Sequence, residues 1–154
     1  MLLAAKVPVV ADTDQREFCI GTEPKLTVTH ACDGYVERGY GDPRWHRFHV
    51  KSSGFGFNAD FFVETWLMPF VRFKERLATV NDELQGELKL ETIEHDLQLQ
   101  GRIDKSGHIN WTAALFQPAG EWRAQLHLTL EDDQTSLPIL IAQVDAIIKE
   151  AENE

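Results

Sequence analysis

The sequence predicts an α+β domain: a curved antiparallel sheet of about seven strands in meander order, with one helix inserted midway and another at the C-terminus, both packed on one face. Three observations predict it. Apolar and polar residues alternate in several segments, most clearly in the second half, which is the period of a strand with one buried face. In two segments the apolar period lengthens to three or four residues, as on a helix. The links between the alternating segments are short and hold Gly, Asp and Ser, so successive strands turn back on their neighbours.

Taken in order, "EFCIG" and "KLTVTHAC" read as strands around Pro24, and a turn-rich segment follows from Asp33 to Pro43. "RWHRFHVK" and "GFGFNADFFVETWL" read as the next two strands, flanking "SSG". In the second of them Phe55, Phe57, Ala59, Phe61 and Val63 share a face, and Gly54 and Gly56 suit a bulge or close packing. In "MPFVRFKERLATVNDEL" the apolar residues Phe70, Phe73, Leu77, Val80 and Leu84 recur every three or four positions. That spacing predicts a helix over about 69–84, with Pro69 in the first turn, where a missing N–H costs nothing.

Four strands with tight turns come next: "ELKLETI" after Gly86, then "DLQLQGRID", "HINWTAALF" and "EWRAQLHLTLE". "DKSG" joins the middle pair at hairpin length. In the last strand Trp122, Ala124, Leu126, Leu128 and Leu130 face one way, and Glu121, Arg123, Gln125, His127 and Thr129 the other.

The C-terminal helix is expected over about 136–150, with Leu137, Ile141, Val144 and Ile148 as its apolar stripe, widened by Leu140 and Ile147. Its start is written in "DDQTSLP". Thr135 or Ser136 is expected to accept a hydrogen bond from the free amides of the first turn, and Pro138 fits that turn. Asp132 and Asp133 lie near the positive end of the helix dipole. Residues 150–154 read as an acidic tail.

A chain of 154 residues with 43% apolar and 26% charged residues has room for one domain and one core, so residues 1–154 are read as a single domain. Residues 1–14 are expected to be a loosely docked tail, because "MLLAAKVPVVADTD" lacks the basic lead-in of a secretory signal. No apolar run approaches the roughly 20 residues that cross a bilayer, so no membrane partner is expected. A lone pair of cysteines, Cys19 and Cys32, does not make a secreted disulfide framework, and reduced thiols in the cytoplasm are expected.

The net charge is −10, and its placement is uneven. Residues 1–77 hold ten basic and ten acidic groups, whereas residues 78–154 hold five basic and fifteen acidic ones. Such a field repels phosphate backbones and favours basic protein partners, which argues against nucleic-acid binding. Solubility alone is the plain alternative.

The usual catalytic and cofactor signatures are missing: no G-x-S-x-G, H-E-x-x-H, P-loop or G-x-G-x-x-G occurs. His46 and His49 in "WHRFH" point to opposite faces if that segment is a strand. His30, Cys32 and Asp33 have strand spacing for two metal ligands, yet no third or fourth ligand is evident. Glu94, His95 and Asp96 stand consecutively, which suits a charged turn better than convergence on one substrate atom. No catalytic residue, metal site or cofactor is therefore expected.

One constellation does stand out. Gln98, Gln100, Asn110, Thr112, Gln125 and His127 occupy outward positions of three adjacent strands, making a sheet face of mostly uncharged hydrogen-bonding groups. With helices on the opposite face, this one is free to meet a protein, or simply to be solvated.

"DQTSLPILIAQVDAII" resembles the C-terminal signature of the WapI-type bacterial immunity proteins and related domains: an Asp-Gln-Thr step, a Leu-Pro, and a short amphipathic helix. "SGFGFNADFFVE" leading into the first helix, and "GELKLETIEHDLQLQGRIDKSGHINWTAAL", are similar in order and spacing, so the resemblance covers about residues 50–150. It implies a non-enzymatic cytoplasmic protein that binds and blocks a bacterial toxin domain. Many such domains are nucleases with basic clefts, to which an acidic inhibitor is steered. Two other readings stay open. One is a ligand-binding or enzymatic domain with a pocket between sheet and helices lined by Trp45, Trp66, Trp111 or Trp122. The other is a homo-oligomeric structural protein.

Overall fold

The computed structural model describes residues 16–31, 44–119 and 122–153. The expected N-terminal tail, the segment from Asp33 to Pro43, Cys32 and the last residue of the acidic tail lie outside the described residues. Among the described residues, eight strands and two α-helices follow one another: β1 (Glu17–Gly21), β2 (Lys25–His30), β3 (Trp45–Gly54), β4 (Phe57–Trp66), α1 (Met68–Glu83), β5 (Glu87–Glu91), β6 (Leu97–Ile103), β7 (His108–Ala119), β8 (Trp122–Asp133) and α2 (Leu137–Glu152). A single 3-10 turn, Gln134–Ser136, precedes α2.

The class is the expected one, but the strands form two four-stranded antiparallel meanders, β1 to β4 and β5 to β8, rather than one sheet of about seven. The division has a local cause. β1 lies against β8 without ladder pairing; instead the Gly21 amide donates to the Asp132 carboxylate at 3.0 Å. Gly21 also sits so close to Leu130 and the Pro24 carbonyl that a Cβ there would meet them at 3.1 and 2.6 Å. A side chain thus takes the place of a backbone partner at the seam.

The period-two segments all form strands, because alternate residues bury one face. Phe18, Ile20, Leu26, Val28, Phe48, Val50 and Val63 do so in the first sheet, and Leu88, Leu90, Leu97, Leu99, Ile103, Ile109, Trp111, Ala113, Leu115 and Leu130 in the second. Both helices cover that inner side. In α1 the buried residues are Phe70, Phe73, Leu77 and Val80, and in α2 Leu137, Leu140, Val144, Ile147, Ile148 and Ala151. A line of rings ties the layers together: Phe48 stacks on Phe70 at 4.3 Å, Phe18 meets Phe73 at 5.9 Å, and Phe73 meets Trp111 edge-on at 6.2 Å. Full burial of each such ring stabilises the fold by roughly 1.5–3 kcal/mol.

Three local expectations are corrected. The β3–β4 hairpin does not turn at "SSG": β3 runs to Gly54, which pairs with Phe57, so Phe55 and Gly56 form the two-residue turn. Both have positive φ, 52° and 83°, as a type I′ turn requires; Phe55 accepts a left-handed backbone at a cost on the order of 1 kcal/mol. The C-terminal helix extends past residue 150 to Glu152, because Ala151 still faces the core.

The helix start is also capped differently. Ser136 occupies the N-cap position with a helical backbone and makes no side-chain cap bond; its hydroxyl donates back to the Asp133 carbonyl at 2.8 Å. The acceptor that the amides need is the Asp133 carboxylate, which takes the Thr135 amide at 2.8 Å and the Thr135 hydroxyl as well. Thr135 and Ser136 therefore donate where they were expected to accept, because the intervening 3-10 turn moves the capping role upstream. Pro138 sits in the first turn of α2 as expected. Among the described residues, no helix is long and apolar enough to cross a membrane.

Candidate functional site

The second sheet has two faces of opposite character, set by the strand pairing. On the inner side Leu99 pairs with Ala113, and Ala113 with Leu128; Gly101 pairs with Trp111, and Trp111 with Leu130. On the outer side three rows cross the sheet. Glu91, Gln98, Ala114 and His127 form one, Lys89, Gln100, Thr112 and Thr129 the next, and Glu87, Arg102, Asn110 and Glu131 the third. Since parity decides the face, all six residues singled out in the sequence lie on this outer side.

Within the face they fall into two groups. Gln98, Gln100, Thr112 and His127 line one open depression of about 280 Å³ over Ala113 and Ala114, and Gln98, Gln125 and His127 line an adjoining one of about 420 Å³ with His95 and Phe116. The shared lining makes them one shallow trough. Short side chains floor it at Thr112 and Ala114, and longer ones rise around them. Asn110 lies apart, in the charged row beside Arg102 and Glu131. Thr129, which belongs to the trough, was legible from the same alternation that exposes Gln125 and His127.

The hydrogen-bonding state of these groups separates centre from rim. Among the described residues, the side chains of Gln100, Thr112, Gln125, His127 and Thr129 make no hydrogen bond, and Gln98 makes one, donating to the His95 carbonyl at 3.3 Å. At the rim the charges are paired: Arg102 with Glu87 at 2.6 Å, His95 with Glu91 at 3.1 Å, and His108 with Glu131 at 2.9 Å. The Arg102 bond holds the Glu87 carboxyl below its ordinary pKa, and the same bond raises Arg102. These exposed pairs contribute little to stability, since solvent screens them.

Beyond the charged row lies a second, more acidic depression of about 350 Å³, lined by His108, Glu131, Asp132, Asp133, Thr135 and Ser136. Burial pushes the Asp132 carboxyl above its ordinary pKa, against the opposing bond from the Gly21 amide. Asp133 is held below it by the Thr135 hydroxyl and amide. The "DDQTS" cluster is thus committed to joining the sheet seam and starting α2.

The other described candidates take separate places. Glu94, His95 and Asp96 lie in the β5–β6 connection: His95 takes a left-handed backbone, φ 61°, and Asp96 turns inward to accept the Thr92 hydroxyl at 2.6 Å. His46 and His49 sit on opposite faces of β3, His49 bonded to Asp60 at 2.5 Å and stacked on Phe62. His30 is buried beside Phe48, 5.7 Å from the His46 ring; its neighbours in sequence, Cys32 and Asp33, lie outside the described residues. Cys19 is a free thiol, its pKa raised by burial. The tryptophans are dispersed among the described residues. Trp111 is fully buried against Phe73, Trp45 and Trp66 meet each other across β3 and β4, and the side chain of Trp122 is outside the described set.

The arrangement is a shallow outer surface with uncharged hydrogen-bonding groups at its centre and charged residues around them. No curated protein and no solved structure matches the chain. The model of the Immunity protein WapI-like family matches residues 21–152, taking in every strand but the first part of β1 and both helices, and the chain belongs to that family.

Proposed function

We propose that the chain is a non-enzymatic immunity protein that acts in the cytoplasm, neutralising a bacterial toxin domain by covering its working surface with the outer face of the second sheet. The observation that carries this reading is the hydrogen-bonding state of that face. In the monomer Gln100, Thr112, Gln125, His127 and Thr129 point outward to water without internal partners, which leaves their hydrogen-bonding groups available to a docking protein. A protein that docks there satisfies them, while the rim charges are already paired and cost less to approach.

The charge distribution adds direction. With fifteen acidic and five basic residues after position 77, this half attracts a basic surface and repels nucleic acid. A nuclease-type toxin, whose cleft is basic because its substrate is a polyanion, is the partner that such a field suits. Membrane and nucleic acid are not partners in this reading, and no cofactor is required.

The experiment is co-purification with the product of the neighbouring gene, where that gene encodes a toxin-like domain, followed by titration. A complex at micromolar concentrations is expected, with an association rate that falls as salt rises. Gln100→Arg with Thr112→Arg places two cations in the trough and is expected to weaken binding at least about tenfold without changing the melting temperature by more than about 2 °C. No complex at micromolar concentration refutes the immunity role; a complex indifferent to the double variant refutes the face.

A further inference from the structure

Among the described residues, the most exposed aromatic side chains lie on the β3–β4 hairpin of the first sheet. Phe55 is 74% exposed and Phe57 65%. Their presentation is rigid. The Phe55 amide donates to the Glu23 carboxylate at 3.0 Å, and Gly54 packs so tightly on the β1–β2 turn that a Cβ there would lie 2.5 Å from Pro24. A bulky residue held in a left-handed turn, braced from below and aimed at water, is an outlier that points to function.

The edge beside these rings is open as well. Pairing of Gly54 with Phe57 across a two-residue turn directs the backbone groups of Asn58, Asp60 and Phe62 away from β3. Among the described residues no hydrogen bond reaches them. The opposite edge of the same sheet is closed: the outward amides of Cys19 and Gly21 are taken by Gln143 and Asp132. On β5 the outward carbonyl of Glu87 accepts Arg76 at 2.9 Å. Natural sheets blunt their edges in such ways, and the outer edge of β4 has none of them in the described structure.

We infer that this hairpin is a second contact element, where an extended segment of the partner toxin adds antiparallel to β4 as a fifth strand and seats apolar side chains beside Phe55 and Phe57. Unpaired amides and carbonyls on alternate residues suit an extended chain, and neither a helix nor a small molecule satisfies them in series. Phe62, on the outer face, is partly covered by the His49 ring at 4.5 Å and the Arg47 guanidinium at 4.0 Å, so the larger apolar contact falls to Phe57 and the tip. A second copy of this chain fits poorly: each copy carries −10, and two-fold pairing centred on Asp60 sets that carboxylate opposite itself.

The inference rests on the immunity reading, and the test separates them. Amide hydrogen exchange is measured on the chain alone, over a concentration series, and with the toxin domain encoded beside it. In the complex, exchange at Asn58, Asp60 and Phe62 is expected to slow at least about tenfold. Phe55→Asn creates the Asn-Gly pair that this turn prefers, so the fold should be at least as stable while binding weakens at least about tenfold. A complex without protection at those three amides, or with Phe55→Asn binding at full strength, overturns the inference and leaves the immunity role standing. Protection that appears in the chain alone and grows with concentration overturns it in favour of a second copy. Failure of any complex to form removes the immunity role and this inference together.

Discussion

Gly101 sets how closely β6 and β7 approach above the core, and replacing it isolates one packing contact. A Cβ at Gly101 would lie 2.6 and 2.7 Å from Cε3 and Cζ3 of Trp111, whose ring is fully buried against Phe73. Neither neighbour can retreat, because Trp111 is bounded by α1 on one side and the sheet on the other. Overpacking of this kind costs about 1–3 kcal/mol, from which about 0.5–1 kcal/mol is regained by restricting the unfolded chain. Gly101→Ala should therefore lose about 1–2 kcal/mol. Trp111→Phe removes the clashing part of the ring and, since the indole Nε1 has no hydrogen-bond partner, loses packing without breaking a bond. It should cost on the order of 2 kcal/mol alone. Urea unfolding of the two single variants and the double variant closes the cycle. The double variant is expected to be more stable than the sum of the two costs predicts, by at least about 0.5 kcal/mol. Simple additivity would refute the contact as the cause. Both residues lie on the inner side, so toxin binding through the outer face should be unchanged in whichever variants remain folded.

Two further predictions follow from the seam between β8 and α2. Burial raises the pKa of Asp132 in the folded state, so its ionisation opposes folding: the penalty is absent below the ordinary carboxylate pKa and complete once pH exceeds the raised value. Asp132→Asn keeps an acceptor for the Gly21 amide and should stabilise the protein at pH 7, with the advantage vanishing near pH 3; thermal melts at both values check this. Asp132→Ala leaves the amide without its acceptor and should cost about 1 kcal/mol. At the helix start, Asp133→Ala should lower the melting temperature at neutral pH more than Ser136→Ala does. Because Thr135 depresses the pKa of Asp133, the stability it brings is present above the ordinary carboxylate value and is lost as pH falls through the depressed one. Equal effects of the two substitutions would restore Ser136 as the cap.

Where one face of a segment is buried along its whole length, the sequence was enough. The alternation in β6 and β7, continued in β8 to a face buried at Leu130 and half-buried at Leu126 and Leu128, and the three-and-four spacing of α1 and α2 fix both the element and the side each residue faces. That is why all six outward residues of the second sheet could be named before their neighbours were known. What alternation does not carry is depth: Asn110 has the right parity but the wrong row, and only the pairing with Arg102 and Glu131 removes it from the trough.

The hairpin turn and the division of the sheet were misread for a different cause, because each depends on a contact between segments distant in sequence. Phe55 continues the alternation of β4, yet it turns the chain because Glu23 and Pro24 hold the hairpin base from thirty residues away. The sheet divides between β1 and β8 because Asp132 reaches Gly21 across 111 positions, a side-chain acceptor that no local pattern foretells. The same carboxylate run explains why "DDQTS" starts the helix from Asp133 rather than from Thr135 or Ser136. Asp132 closes the seam and Asp133 starts α2, so two adjacent acids on one strand serve opposite sides of it, and their environments move their pKa values in opposite directions. Acidity at this point of the fold is therefore structural before it is electrostatic.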